Sequence, residues 1–191
     1  AGQAKNFKIE IPRNTRPLTD RMKVRIFDVL GSDIANKSVL DLYAGAGSFA
    51  LEALSRGAKE ATLVDASKQG NIIIQRNVAH TGFLPQADVI KSKVEDFIQK
   101  YKESDKTWDI IFMDPPYKLY NTKRVEKMER IINDASSLLP GVKNPKTKKF
   151  KGAFIIKHPK RYPIDKLNLK HIKRVDTYEF GLNSISLYIV K

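Results

Sequence analysis

Ser38-Val-Leu-Asp-Leu-Tyr-Ala-Gly-Ala-Gly-Ser-Phe-Ala50 is the stretch from which the rest of the chain can be read. Val39, Leu40 and Leu42 make an apolar run of strand length, with Asp41 at its end. Gly45 and Gly47 follow; without a Cβ they allow a tight turn in which backbone approaches a ligand closely. Glu52, Ala53, Leu54 and Arg56 then favour a helix, and Gly57 stops it. Strand, glycine turn and helix form the first half of a nucleotide-binding βαβ unit. Taken alone, the same pattern also serves turns that only pack a helix on a sheet.

Two further stretches extend the reading. Ala61-Thr-Leu-Val-Asp65 is a second apolar strand ending in an acid, 20 residues after Gly45, the distance at which such folds place a carboxylate on ribose hydroxyls. Trp108-Asp-Ile-Ile-Phe-Met113 is a third apolar run, closed by Asp114-Pro115-Pro116-Tyr117. Each proline fixes φ and removes a donor. The motif therefore holds a carboxylate and an aromatic ring rigidly, at the sheet edge expected for Asp41 and Asp65.

The 191 residues carry 41% hydrophobic content, which suits a single domain, 1–191, with residues 1–18 as a small extension. No apolar run approaches the roughly 20 residues of a membrane span. With no secretory signal at the start either, a cytoplasmic protein without membrane attachment is expected. The absence of cysteine excludes disulfides, thiol catalysis and thiolate metal sites. His80, His158 and His171 lack metal-ligand spacing, so no metal is expected. The net charge is +14 and unevenly placed: residues 143–174 carry +11, residues 1–25 carry +5, and the remainder sums to −2. Two basic flanks around a nearly neutral core suit a polyanionic partner such as nucleic acid. The bases named for it are Arg13, Arg16 and Arg21 in the first flank. In the second they are Lys146, Lys148, Lys149, Lys151, Lys160 and Arg161.

Periodicity predicts the remaining elements. Phe7, Ile9 and Ile11 alternate with polar residues and predict a strand within 5–13. Thr19 or Asp20 caps a helix through Leu30, with Val24, Phe27 and Leu30 inward. Strands are expected at 60–65, 87–91, 108–113 and 153–156. Helices are expected at 67–80, 94–101 and 122–139, and 140–151 is expected to be a lysine-rich connector. A closing pair, 172–177 and 184–190, turns at 181–183. Alternating strands and helices predict a mostly parallel sheet covered on both faces.

Together, the glycine strand, the acid-terminated second strand and Asp114-Pro-Pro-Tyr117 resemble the S-adenosylmethionine-dependent amino-methyltransferases. The flank Arg16-Pro-Leu-Thr-Asp-Arg21, the helix ending Ile26-Phe-Asp-Val-Leu30 and the segment Leu51-Glu-Ala-Leu-Ser-Arg-Gly-Ala58 narrow the likeness to the RsmD family. That family methylates a guanine N2 amine of bacterial small-subunit ribosomal RNA. The resemblance runs from about Gly2 to Tyr188. It implies an α/β, Rossmann-like class I methyltransferase with a seven-stranded sheet of order 3-2-1-4-5-7-6, strand seven antiparallel, behind a short N-terminal β/loop extension. It also implies small-subunit (16S) ribosomal RNA or the ribosomal particle as the substrate; a monomer is expected.

Carried onto this chain, Asp41, Ala44, Gly45 and Gly47 would lie beside the methionine part of S-adenosylmethionine, and Asp65 on the ribose. Lys93 and Val94 would flank the adenine, with S-adenosylhomocysteine as product. Lys93 departs from the small acidic or amide residue that many relatives have there, and Lys157-His158-Pro159-Lys160 departs from an acid after strand five. Asp114 and the Pro115 carbonyl would accept the amine hydrogens, Pro116 would stiffen the loop and Tyr117 would stack on the extruded base. Three rivals stand beside this reading. Gly45-Ala-Gly-Ser-Phe-Ala50 also fits a dinucleotide oxidoreductase. Adenine-N6 methyltransferases share the Asp-Pro-Pro-Tyr motif. A non-catalytic RNA-binding assembly factor could keep the fold.

Overall fold

Buried apolar strands alternate with amphipathic helices, and the computed structural model joins them into a seven-stranded sheet of order β3-β2-β1-β4-β5-β7-β6. The structure describes residues 8–11, 20–123, 125–147 and 150–191. The chain divides into two units, Ala1–Val94 and Glu95–Lys191.

The first unit holds α1 (Asp20–Leu30), β1 (Ser38–Leu42), α2 (Ser48–Ser55), β2 (Glu60–Asp65), α3 (Lys68–His80) and β3 (Ala87–Lys91). β1 pairs parallel with β2, and β2 with β3. Both inner strands are almost wholly buried, as parallel strands covered on both faces must be. Phe27 of α1 stacks on Phe49 of α2 at 5.1 Å, and the Arg56 guanidinium lies 4.8 Å from the Phe27 ring centre. α3 starts at a Ser67 cap, whose hydroxyl accepts the Gly70 N–H at 3.1 Å.

α4 (Val94–Lys102) leads into the second unit, with β4 (Ile110–Met113), α5 (Val125–Ser136), α6 (Pro140–Lys143), β5 (Ala153–Pro159), β6 (Ile172–Phe180) and β7 (Asn183–Val190). β4 and β5 are parallel, while β7 runs antiparallel to both β5 and β6 and lies between them. Trp108 is 1% exposed and packs with Phe97 and Tyr101. Among the described residues, no helix is long and apolar enough to cross a membrane.

Several expectations need correction. Residues 8–11 are not a strand; the Glu10 backbone pairs instead with the Asn77 side chain, while 5–7 and 12–13 lie outside the described residues. Thr19 also lies outside them. Val24 is exposed, because α1 buries Met22, Ile26, Phe27 and Leu30 and so turns Val24 outward. The 122–139 helix spans only Val125–Ser136. Pro140, at the first helical position, then starts the short α6 inside the expected connector.

Candidate active site

In the first unit the backbone reverses directly after β1. Tyr43, Gly45 and Gly47 all take left-handed φ values, 62°, 60° and 76°. The glycines were legible from sequence; the same conformation at Tyr43 was not. The Ala44 N–H donates to the Val64 carbonyl at 3.0 Å and the Gly45 N–H to Asp65 Oδ2 at 2.9 Å. Asp65 Oδ1 accepts the Ser67 N–H at 2.8 Å. Asp65 thus ties the glycine loop to the start of α3, and each of its oxygens keeps lone-pair capacity for a further donor.

Asp41 has another placement. It is 2% exposed, and its Oδ2 accepts the Ala50 N–H at 3.2 Å. Gly47, the residue capping α2, has no side chain, so the Asp41 carboxylate satisfies a first-turn N–H in its stead. Two asparagines unnoticed in the sequence complete the frame. Asn71 Nδ2 donates to the Asp65 and Ser67 carbonyls, both at 2.8 Å. Asn77 Nδ2 donates to the Ala46 and Glu10 carbonyls, both at 2.9 Å, and its Oδ1 accepts the Glu10 N–H at 2.8 Å.

These residues fit an adenosyl cofactor. A Cβ built on Gly45 would meet only the Tyr43 carbonyl, at 3.9 Å, so the loop is open above that residue. The buried Asn71 Oδ1, beside Asp65, has no hydrogen-bond partner among the described residues. The Ser92 N–H donates to the Asp65 carbonyl at 3.2 Å and fixes the chain just before exposed Lys93 and buried Val94.

In the second unit, Asp114 follows the last residue of β4. Met113 pairs with Ile156 of β5, so Asp114 and Lys157 are the next residues on two adjacent parallel strands. Lys157 Nζ donates to both Asp114 oxygens, at 3.0 and 2.8 Å. The Lys157 side chain is 7% exposed and that of Asp114 24%. Burial raises the Asp114 pKa above the usual carboxylate value, while the Lys157 charge and hydrogen bonds pull it down. Sequence reasoning noticed Lys157 only as a family departure; its contact depends on strand register.

Pro115 is buried, and its carbonyl accepts no hydrogen bond among the described residues. Pro116 precedes a single 3-10 turn, Tyr117–Leu119. Tyr117 is 46% exposed, and its hydroxyl donates to Asn183 Oδ1. The Tyr120 hydroxyl donates to the Lys157 carbonyl. His158, the next residue, is buried; its Nε2 lies 2.9 Å from the Ser186 hydroxyl, and burial lowers its pKa.

The basic flanks are more heterogeneous than their composition. Arg21, Lys146, Lys151, Lys160 and Arg161 are exposed, with Lys160 paired to Glu179 at 2.6 Å. Arg13, Arg16, Lys148 and Lys149 lie outside the described residues. Lys143 donates to the Tyr101, Lys102 and Ser104 carbonyls near the end of α4, and Arg174 pairs with Asp165.

The sheet order, with helices between its parallel strands, defines a Rossmann-like class I methyltransferase fold. Among solved structures, the "Putative methyltransferase yhhF from Escherichia coli" aligns with 100% of this chain and 96% of its own, at TM-score 0.78 and 23% identity. A "putative methyltransferase complexed with SAH" aligns with 92% of this chain and 50% of its own, at TM-score 0.71 and 17% identity. Residues 1–188 match the family described as "Conserved hypothetical protein 95", and the chain belongs to it, the RsmD family. The ribosomal RNA small subunit methyltransferase D of Buchnera aphidicola is 31% identical over 119 residues, 61% of each chain. The chain spans about three fifths of the length of the curated relatives it matches.

Proposed function

We infer that the chain transfers a methyl group from S-adenosylmethionine to the exocyclic N2 amine of a guanine in small-subunit ribosomal RNA. The observation that carries the amine chemistry is the Asp114–Tyr117 loop. It combines a carboxylate fixed by Lys157, a carbonyl without a partner among the described residues, and a half-exposed aromatic ring. Family membership and relatives described as ribosomal RNA methyltransferases support the RNA substrate. The guanine N2 atom rests on the resemblance to the family.

When bound, S-adenosylmethionine supplies an activated sulfonium methyl. Gly45 would give it a close backbone approach, Gly47 lets the loop pack against Leu63 and Ile74, and Asp65 would offer its remaining lone pairs to ribose hydroxyls. An exocyclic amine is a weak nucleophile because its lone pair is delocalised into the ring. Asp114 and the Pro115 carbonyl accept its two hydrogens, turn nitrogen toward tetrahedral geometry and free the lone pair for attack. As the nitrogen–methyl bond forms and the sulfur–methyl bond breaks, the Asp114 carboxylate stabilises the positive charge growing on nitrogen. Lys157 fixes the orientation of that carboxylate and opposes the rise that burial causes in its pKa. A neutral amine is far too weak an acid to lose its proton to a carboxylate first, so the nitrogen proton is lost after methyl transfer. Tyr117 offers its ring to the extruded base.

The test is labelled methyl transfer to small-subunit particles, naked ribosomal RNA and duplex DNA, followed by nucleoside digestion. N2-methylguanosine from the ribosomal substrates is the expected product. N6-methyladenine alone, or preference for DNA, would overturn the target atom. No transfer to any substrate would favour an assembly factor.

A further inference from the structure

Leu182 is 77% exposed, the most exposed of the large apolar side chains among the described residues. A solitary exposed leucine is ordinary, but this one is held in an unusual setting. Leu182 and Gly181, at φ 59°, form the two-residue turn between β6 and β7, closed by the Phe180–Asn183 pair. The Leu182 carbonyl accepts the Lys160 N–H at 2.9 Å, and the next side chain, Asn183, accepts the Tyr117 hydroxyl. The turn is therefore pinned both to the end of β5 and to the amine-binding loop. Lys118 beside Tyr117 and Arg161 beside the other anchor are exposed, while Lys160 is paired with Glu179 at 2.6 Å. A fixed apolar tip among cations is complementary to stacked bases bordered by phosphates.

We propose that Leu182 is a wedge that enters the base stack of the RNA substrate next to the target nucleotide as that base moves out onto Tyr117. Extruding a base breaks stacking on both of its faces, and an inserted apolar side chain restores part of that stacking. Leucine on a free loop would have to be ordered first; here the backbone hydrogen bonds have already set it. The proposal rests on the amine-transfer reading above and adds to it a surface that touches neither the amine nor the cofactor.

The experiment first maps the nucleotide that the wild-type protein methylates. It then uses an RNA stem-loop carrying that nucleotide with 2-aminopurine as its neighbour, and a short unstructured RNA with the same target. Leu182→Ala is expected to lower kcat/KM at least about tenfold on the stem-loop and less than about twofold on the unstructured RNA. The 2-aminopurine fluorescence rise on binding is expected with wild type and Leu182→Met and abolished with Leu182→Ala. Equal losses on both RNAs, no loss on either, or an undiminished fluorescence rise would overturn the wedge. If the wild-type protein methylates no RNA, the functional reading itself fails; if it does and Leu182→Ala is indifferent, only the wedge fails.

Discussion

Lys157 makes the Asp114 carboxylate half of an ion pair, and the pH dependence of turnover should show it. In the proposed mechanism Asp114 acts as the carboxylate, so activity is expected to fall as pH drops through its pKa. Burial has raised that pKa and Lys157 opposes the rise. Removing the ammonium in Lys157→Met therefore raises the pKa further and moves the acid limb of kcat/KM to higher pH. Lys157→Arg should move it back. An unmoved limb in a folded Lys157→Met protein would detach Lys157 from the chemistry. Asp114→Ala is a poorer probe, because it strands an ammonium that is 7% exposed; such a loss costs about 3–5 kcal/mol in buried pairs. The motif itself was legible because its four residues are consecutive. Its partner was not: Lys157 lies 43 positions away, inside a basic flank, and reaches Asp114 through the pairing of Met113 with Ile156.

At the scale of elements, α3 does more than cover the sheet. Through Asn77 it joins the Glu10 segment to the glycine loop at Ala46, with three hydrogen bonds from one side chain. Asn77→Ala leaves the Ala46 carbonyl without that donor. It should destabilise the fold by about 1–3 kcal/mol and weaken S-adenosylhomocysteine binding, measured by urea unfolding and calorimetry. Unchanged affinity in the folded variant would show that the loop keeps its shape without the joint. Element types were legible from apolar periodicity, but faces and ends were less so. Val24 belongs to an amphipathic helix whose polar side it shares, and spacing alone put it inward. The break after Ser136 depends on a turn before Pro140 that the continuous apolar spacing concealed.

For the molecule as a whole, charge is the main quantity the sequence exposed, and the structure redistributes it. Lys143, Lys157 and Arg174 are occupied within the fold. We propose that the segment with Lys146, Lys148, Lys149 and Lys151 binds RNA phosphates. Neutralising these four should flatten the salt dependence of RNA affinity, by roughly 0.7 in log–log slope for each single-strand phosphate that is no longer neutralised. Cofactor affinity should stay constant. An unaltered slope would mean that the lysines reflect composition rather than phosphate binding.

The antiparallel β7 has a consequence for how the protein is made. Of the seven strands of the sheet it is the last in sequence, yet it lies between β5 and β6 rather than at the margin. While translation proceeds, β1, β2 and β3 have all their partners from the first unit in place once Lys91 has emerged. β5 and β6 must wait, each with a row of amides and carbonyls open to any passing strand. Ribosome-stalled chains ending before Asn183 should thus resist protease in their first half and remain cleavable in their second. Protection of both halves in such chains would show that the sheet closes without its final strand.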